Sequence, residues 1–142
     1  VILKYTLLDP SATEPIFATA QAACFDLTAT SVKVACSNAR IYGTGLAFNI
    51  PEGYHLEVYI RSGLAFKYDF ILANAVGIVD SDFTGELMVK IAYIGDGNPE
   101  WPWVGDRVAQ ARLVRETKTE FVETHERKQT ERGENGFGST GK

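Results

Sequence analysis

His55-Leu56-Glu57-Val58-Tyr59-Ile60-Arg61 alternates apolar and polar residues with a period of two, so Leu56, Val58 and Ile60 share one face of an extended segment. A helix would scatter those three side chains around its circumference, whereas a half-buried strand gathers them on the side that meets a core. The pattern returns in Leu87-Met88-Val89-Lys90-Ile91-Ala92-Tyr93, where Leu87, Val89, Ile91 and Tyr93 align. Val32 and Val34, flanked by Thr30 and Cys36, make a shorter version. Turn signals separate these segments at Asp9-Pro10, Gly43-Thr44-Gly45, Pro51-Glu52-Gly53, Asp96-Gly97-Asn98-Pro99 and Gly105-Asp106. Only the stretch from Phe66 to Leu72 suggests a turn or two of helix. Short strands at this spacing predict an all-β domain, a sandwich or barrel rather than an α/β fold.

The 142 residues suit one domain with a sizeable core, and 45% hydrophobic with 23% charged residues is a globular composition. A net charge of −4 argues against a broad nucleic-acid surface but not against a small anionic ligand held by converging arginines. No apolar run approaches the ~20 residues of a membrane span. The start at Val1 reads as trimmed or mature, and Val1-Ile2-Leu3-Lys4-Tyr5 lacks the basic leader of a signal peptide. Cys24 and Cys36 suggest neither a disulfide framework nor a metal site, and free thiols predict a reducing, cytoplasmic setting. Composition shifts near Glu116, where Glu, Lys, Thr and Arg take over. This divides the chain into a β body over 1–115 and a polar linker with a Gly-rich arm over 116–142, which composition alone reads as a solvated tail.

Four stretches carry chemistry. Arg61-Ser62-Gly63 closes an alternating strand with a guanidinium fork, a hydroxyl and a residue that lets backbone approach, as an oxyanion clamp would. Asn74-Ala75-Val76-Gly77-Ile78-Val79-Asp80-Ser81-Asp82-Phe83-Thr84-Gly85 places two carboxylates near a strand end, as turn residues, metal ligands or a general base. Gly105-Asp106-Arg107-Val108-Ala109-Gln110 opens another strand, with Arg107 and Gln110 on opposite faces if it is regular. Gly136-Phe137-Gly138-Ser139-Thr140-Gly141-Lys142 matches a phosphate loop up to its Lys, yet no helix follows to supply the dipole. Its small residues can still present amides to a phosphate, and Phe137 a flat face to a base.

Taken in order, these stretches resemble the trimeric deoxyuridine triphosphatase (dUTPase) family over nearly the whole chain. The matching motifs are Ala23-Cys24-Phe25-Asp26-Leu27, Arg61-Ser62-Gly63-Leu64-Ala65, Gly77 through Gly85, Gly105 through Gln110, and Arg132-Gly133-Glu134-Asn135-Gly136-Phe137-Gly138-Ser139. The resemblance implies a jelly-roll-like, distorted barrel (β-clip) of short strands, a homotrimer whose active sites are shared between subunits, and hydrolysis of dUTP to dUMP and pyrophosphate by water attack at the α-phosphorus. Such an activity keeps uracil out of DNA and supplies dUMP.

By the same resemblance Asp80 orients and deprotonates the water, and Gln110 helps to place it. Arg61, Ser62 and Gly63 clamp phosphates. Asn74 and the backbone through Gly77, Ile78, Val79 and Asp80 read the uracil edge, with Met88 contributing backbone nearby. Phe83 stands where the family usually has Tyr, packed under the deoxyribose, so sugar selectivity is expected to persist without the phenol's hydrogen bond. Arg132 pairs with phosphate, Phe137 stacks on uracil, and Gly138, Ser139 and Thr140 wrap the phosphates. Cys24 and Asn135 replace glycines common in the family. Mg²⁺ is expected through phosphates and water rather than direct protein ligands, with Asp26 facing its water shell or organising arginines. His55 and His125 read as solvent-facing bystanders. The alternatives are a dCTP deaminase, disfavoured by Lys90 where such enzymes carry Glu, and a regulatory protein on the same fold.

Overall fold

The two long alternating segments are strands, and they build the centre of the molecule. The computed structural model describes residues 1–136. Among these the chain runs β1 (Lys4–Leu7), β2 (Phe25–Thr28), β3 (Ser31–Cys36), β4 (Ala39–Gly43), β5 (Leu46–Asn49), β6 (Tyr54–Tyr59), α1 (Ser62–Tyr68), β7 (Phe70–Leu72), β8 (Gly77–Val79), β9 (Met88–Tyr93) and β10 (Arg107–Arg115). All strand pairings are antiparallel. They form a two-stranded sheet β1-β5 and two four-stranded sheets, β2-β10-β6-β8 and β3-β4-β9-β7. This is a jelly-roll-like arrangement of open sheets; among the described residues they do not close into a barrel.

One contiguous apolar cluster draws from all three sheets. Leu27, Leu56, Val58 and Ala111 come from one large sheet, Tyr42, Phe70 and Ile91 from the other, and Leu46 and Phe48 from the small one. Leu56 is fully buried, and truncating such a side chain to Ala costs about 2–5 kcal/mol because the cavity does not collapse completely. The Gly43-Thr44-Gly45 turn is fixed from inside. A Cβ on Gly43 would lie 2.5 Å from Ser31 Oγ, and the buried Thr44 hydroxyl donates to the Leu87 carbonyl at 2.7 Å.

Three local expectations are revised. The helix lies over Ser62–Tyr68 rather than Phe66 to Leu72, because Asp69 adopts a left-handed conformation (φ 54°) that stops it and releases Phe70–Leu72 into β7. Val32 pairs with Tyr42 as the alternation demands, yet Val32 and Val34 are 42% and 69% exposed, because nothing among the described residues covers either face of β3. Arg107 and Gln110 share a face. Val108 is an extra residue in a bulge, so Arg107 pairs with Thr28 and Gln110 with Asp26, two positions on the same side of β2.

Candidate active site

That bulge assembles one cluster of charge. Asp26 on β2 accepts Arg61 Nε on Oδ1 at 2.9 Å and Arg107 Nη1 on Oδ2 at 2.9 Å. One carboxylate thereby holds two guanidiniums side by side. Gln110 is tethered beside them, donating Nε2 to the Ile60 carbonyl at 3.2 Å. Arg61 is also the N-cap of α1, and Leu64 and Ala65 donate their N–H groups to its carbonyl. The N–H groups of Ser62 and Gly63 in the first turn have no intrahelical acceptor. A Cβ on Gly63 would meet nothing within 4 Å, so the space over this turn is open.

The second cluster surrounds the loop from β7 to β8. Ala75 N–H donates to the Leu72 carbonyl at 2.9 Å, and the turn holds Ala75 at φ 59°, a strained choice for a residue with a Cβ. Gly77 lies under the Asn74 carboxamide, where a Cβ would approach Asn74 Nδ2 to 3.3 Å. A cavity of about 450 Å³ opens here, lined by Asn74, Gly77, Ile78, Val79, Met88 and Lys90 among others. A second hollow of about 270 Å³ adjoins it through Ile78, Val79 and Met88, and adds Asp80, Phe83 and Glu86. Asp80 therefore faces a cavity, whereas Asp82 is not among its walls. The Phe83 ring lies over Gly85, whose added Cβ would be 2.8 Å from the ring edge.

The predicted residues thus fall into two groups, one around Asp26 and one around the hairpin at β8. Asp26 lies on β2 and the Asn74–Asp80 loop beside β8, the opposite edges of one sheet. Three strand spacings of ~4.8 Å put those edges about 14 Å apart. Arg132 is exposed in the segment after β10, where the described residues 116–136 carry neither helix nor strand. Phe137, Gly138, Ser139 and Thr140 lie outside the described residues.

Two residues of these clusters carry no role in the sequence motifs. Glu86 lines the smaller hollow and is fixed by the Gly45 N–H, which donates to Oε1 at 2.8 Å; its only signal is an acid just after Gly85. Arg107 stood inside a flagged motif, but its alignment with Arg61 depends on the bulge. Trp101 packs on Phe70 with ring centroids 4.9 Å apart, under the Arg40 guanidinium, and the buried Pro102 accepts the Tyr42 hydroxyl at 3.0 Å. Trp103 is exposed and lines a hollow with Arg61 and Arg107. His55 is half-buried, 3.7 Å from Glu57 and 3.9 Å from Glu116, rather than solvent-facing. The described residues contain no cluster of His, Cys, Asp or Glu able to hold a metal ion.

The chain is similar to known proteins in sequence and in fold. The family model described as dUTPase matches residues 11–141. A deoxyuridine 5'-triphosphate nucleotidohydrolase from Nautilia profundicola is 39% identical over 142 residues, 99% of each chain. Among solved structures, a Staphylococcus bacteriophage 80alpha dUTPase mutant with dUpNHpp superposes with a TM-score of 0.83 at 25% identity, covering 99% of this chain and 98% of that one. A dUTPase mutant from phage phi11 of S. aureus, whose structure describes coordination of a structural Mg(II) ion, gives 0.73 at 22% identity, covering 89% and 98%.

Proposed function

The chain belongs to the dUTPase family, and from that premise we propose how its residues hydrolyse dUTP to dUMP and pyrophosphate. The activity is that of a dUTP diphosphatase, which keeps uracil out of DNA and supplies dUMP. The observation that carries the residue assignment is the pair of joined hollows, with Asn74 in the larger and Asp80 and Phe83 in the smaller. Uracil presents a donor between two acceptors, and a carboxamide offers both a donor and an acceptor in return. The backbone of β8 through Gly77, Ile78 and Val79 closes on the base edge, with Met88 beside it, and leaves no room for a thymine methyl. The Phe83 ring lies against the sugar and excludes a 2′-hydroxyl by contact. Asp80, at the lip beyond the sugar, orients a water toward the α-phosphorus and takes its proton.

The triphosphate then runs toward the arginines. Arg61 and Arg107, locked by Asp26, present guanidiniums to phosphate oxygens, and Ser62 and Gly63 add N–H groups. Gln110 steadies the attacking water. The family's homotrimeric assembly supports a site in which Asp80 and the base cavity come from one subunit and Arg61 and Gln110 from a neighbour. The arm, residues 116–142, closes the site with Arg132 on phosphate, Phe137 on the base, and Gly138, Ser139 and Thr140 around the phosphates. Mg²⁺ bound to the triphosphate would neutralise charge and fix its path, held through water rather than by protein ligands.

Neither dCTP deamination nor a purely regulatory role is favoured, since Lys90 occupies the strand where deaminases carry Glu and Asp80 and Arg61 are intact. Pyrophosphate release measured across dUTP, dTTP, dCTP and UTP tests the reading. It predicts dUTP preferred by about 100-fold or more, the scale at which unpaired or clashing groups discriminate. Comparable turnover of UTP would remove the Phe83 role, and ammonia release from dCTP would replace the reaction.

A further inference from the structure

Gln110 stands in a row of three side chains that crosses three strands. The register sets it opposite Asp26 on β2 and opposite Tyr59 on β6. Ala109 and Ala111 enter the core from β10, as Leu56 and Val58 do from β6, so Gln110, Arg112, Glu57 and Tyr59 share the outer face of the sheet. Directly opposite residues of an antiparallel pair bring their Cβ atoms to about 4.5–5.5 Å, so Tyr59 flanks Gln110 on the side away from Asp26. Both neighbours are braced. Two guanidiniums hold Asp26. The Tyr59 hydroxyl donates to Glu57 Oε2, and Arg112 donates to the same oxygen from Nε at 2.9 Å, with its Nη2 2.8 Å away. The Arg112 guanidinium also lies over the Tyr59 ring, 5.6 Å from its centre. The Tyr59 hydroxyl, and then Arg112, hold the Glu57 carboxyl below the usual carboxylate range, so this brace stays charged at neutral pH. The ring is thereby tied both at its hydroxyl and at its face.

We propose that Tyr59, braced by Glu57 and Arg112, is a positioning residue that holds the Gln110 carboxamide at the attacking water. The inference rests on reading Gln110 as the residue that steadies this water. Gln110 donates Nε2 to the Ile60 carbonyl, which leaves its oxygen to accept from a water. A glutamine side chain turns about several bonds, and one hydrogen bond does not fix them all. The competing partners lie on the same face, because Arg112 is two residues further along β10 and stands opposite Glu57. Arg112 and Glu57 occupy each other, so neither draws the carboxamide away, and the tied Tyr59 ring walls the side toward which it would swing. A group held in this way has little freedom left to lose when the water is engaged, which is how positioning lowers a barrier. Tyr59 itself touches neither substrate nor water, so its contribution goes to the rate and not to binding.

The test uses the full chain. Tyr59→Leu removes ring and hydroxyl, Tyr59→Phe keeps the ring under Arg112, and Gln110→Ala removes the group being positioned. Steady-state pyrophosphate release from dUTP gives kcat and KM, titration calorimetry with dUMP gives binding alone, and thermal melting verifies the fold. Tyr59→Leu should lower kcat about tenfold, within the roughly 100-fold that a small misplacement can cost, with KM and dUMP affinity nearly unchanged. Tyr59→Phe should recover most of that loss. In a Gln110→Ala background Tyr59→Leu should cost nothing more, because residues that act through one another are not additive. Glu57→Ala frees the same ring and carries the same comparison if Tyr59→Leu does not fold. An unchanged kcat in a folded variant, or a loss as large in the Gln110→Ala background as in the wild type, would overturn the positioning role. An unchanged kcat in Gln110→Ala would instead remove the reading of Gln110, and this inference with it.

Discussion

Asp80 and Asp26 are both carboxylates at strand ends, and their surroundings separate their roles. Asp26 has both oxygens taken by guanidiniums, while Asp80 is exposed on the wall of a hollow, the setting in which the proposed base would meet its water. Asp80→Asn keeps the shape and removes the proton acceptor. Pyrophosphate release should fall by about 10²–10⁴-fold, the usual worth of general base catalysis, with dUTP affinity little altered. Near-normal turnover would reassign the base. Tyr42 carries a different consequence. Its side chain is fully buried, and burial pushes the phenol from 10.0 up to about 12. The unfolded chain ionises near the ordinary value, so this contribution to stability is complete below pH 10 and is lost as pH rises towards 12. Tyr42→Phe should flatten that alkaline loss, read by urea denaturation at both ends of the window. An identical loss in the variant would mean that another group titrates there.

At the level of elements, the sequence was most legible where one face of a strand is buried. The alternation in Leu56 and Val58, and in Val89 and Ile91, mapped directly onto β6 and β9. It was less legible where an element ends for a backbone reason. Nothing in the composition around Asp69 announces a left-handed residue, so the helix was placed too late in the chain. Asp tolerates that conformation, whereas a β-branched residue does not. Asp69→Val should lose about 1–2 kcal/mol, and Asp69→Gly should lose none. Equal melting temperatures for the two would contradict the capping account. The bulge at Val108 was hidden for a similar reason. An inserted residue leaves no mark in an apolar run such as Val108-Ala109, yet it turns Arg107 to the face of Gln110. β3 shows a further limit, because period two predicts which face a side chain takes but not whether anything covers it.

On the scale of the whole molecule, the family motifs and their order were readable in the sequence, but the distance between them was not. Five ordered motifs name the family; only strand order reveals that β2, which carries Asp26, and β8, which precedes Asp80, are opposite edges of one sheet. In the proposed site the triphosphate meets both clusters by bridging two chains. Exposed apolar side chains on the edge strand β3 fit the same account, since an uncovered apolar edge invites another copy. The decisive measurement is complementation between Asp80→Asn and Arg61→Gln chains. Each homotrimer should be nearly inactive. Unfolded together in equal amounts and refolded, with trimers verified by light scattering, they should recover about a quarter of the wild-type sites, one half times one half, because random mixing around a threefold axis pairs an intact Asp80 with a neighbour's intact Arg61 that often. No recovery from well-formed mixed trimers would contradict the account, since it would mean that each site draws Asp80 and Arg61 from the same chain.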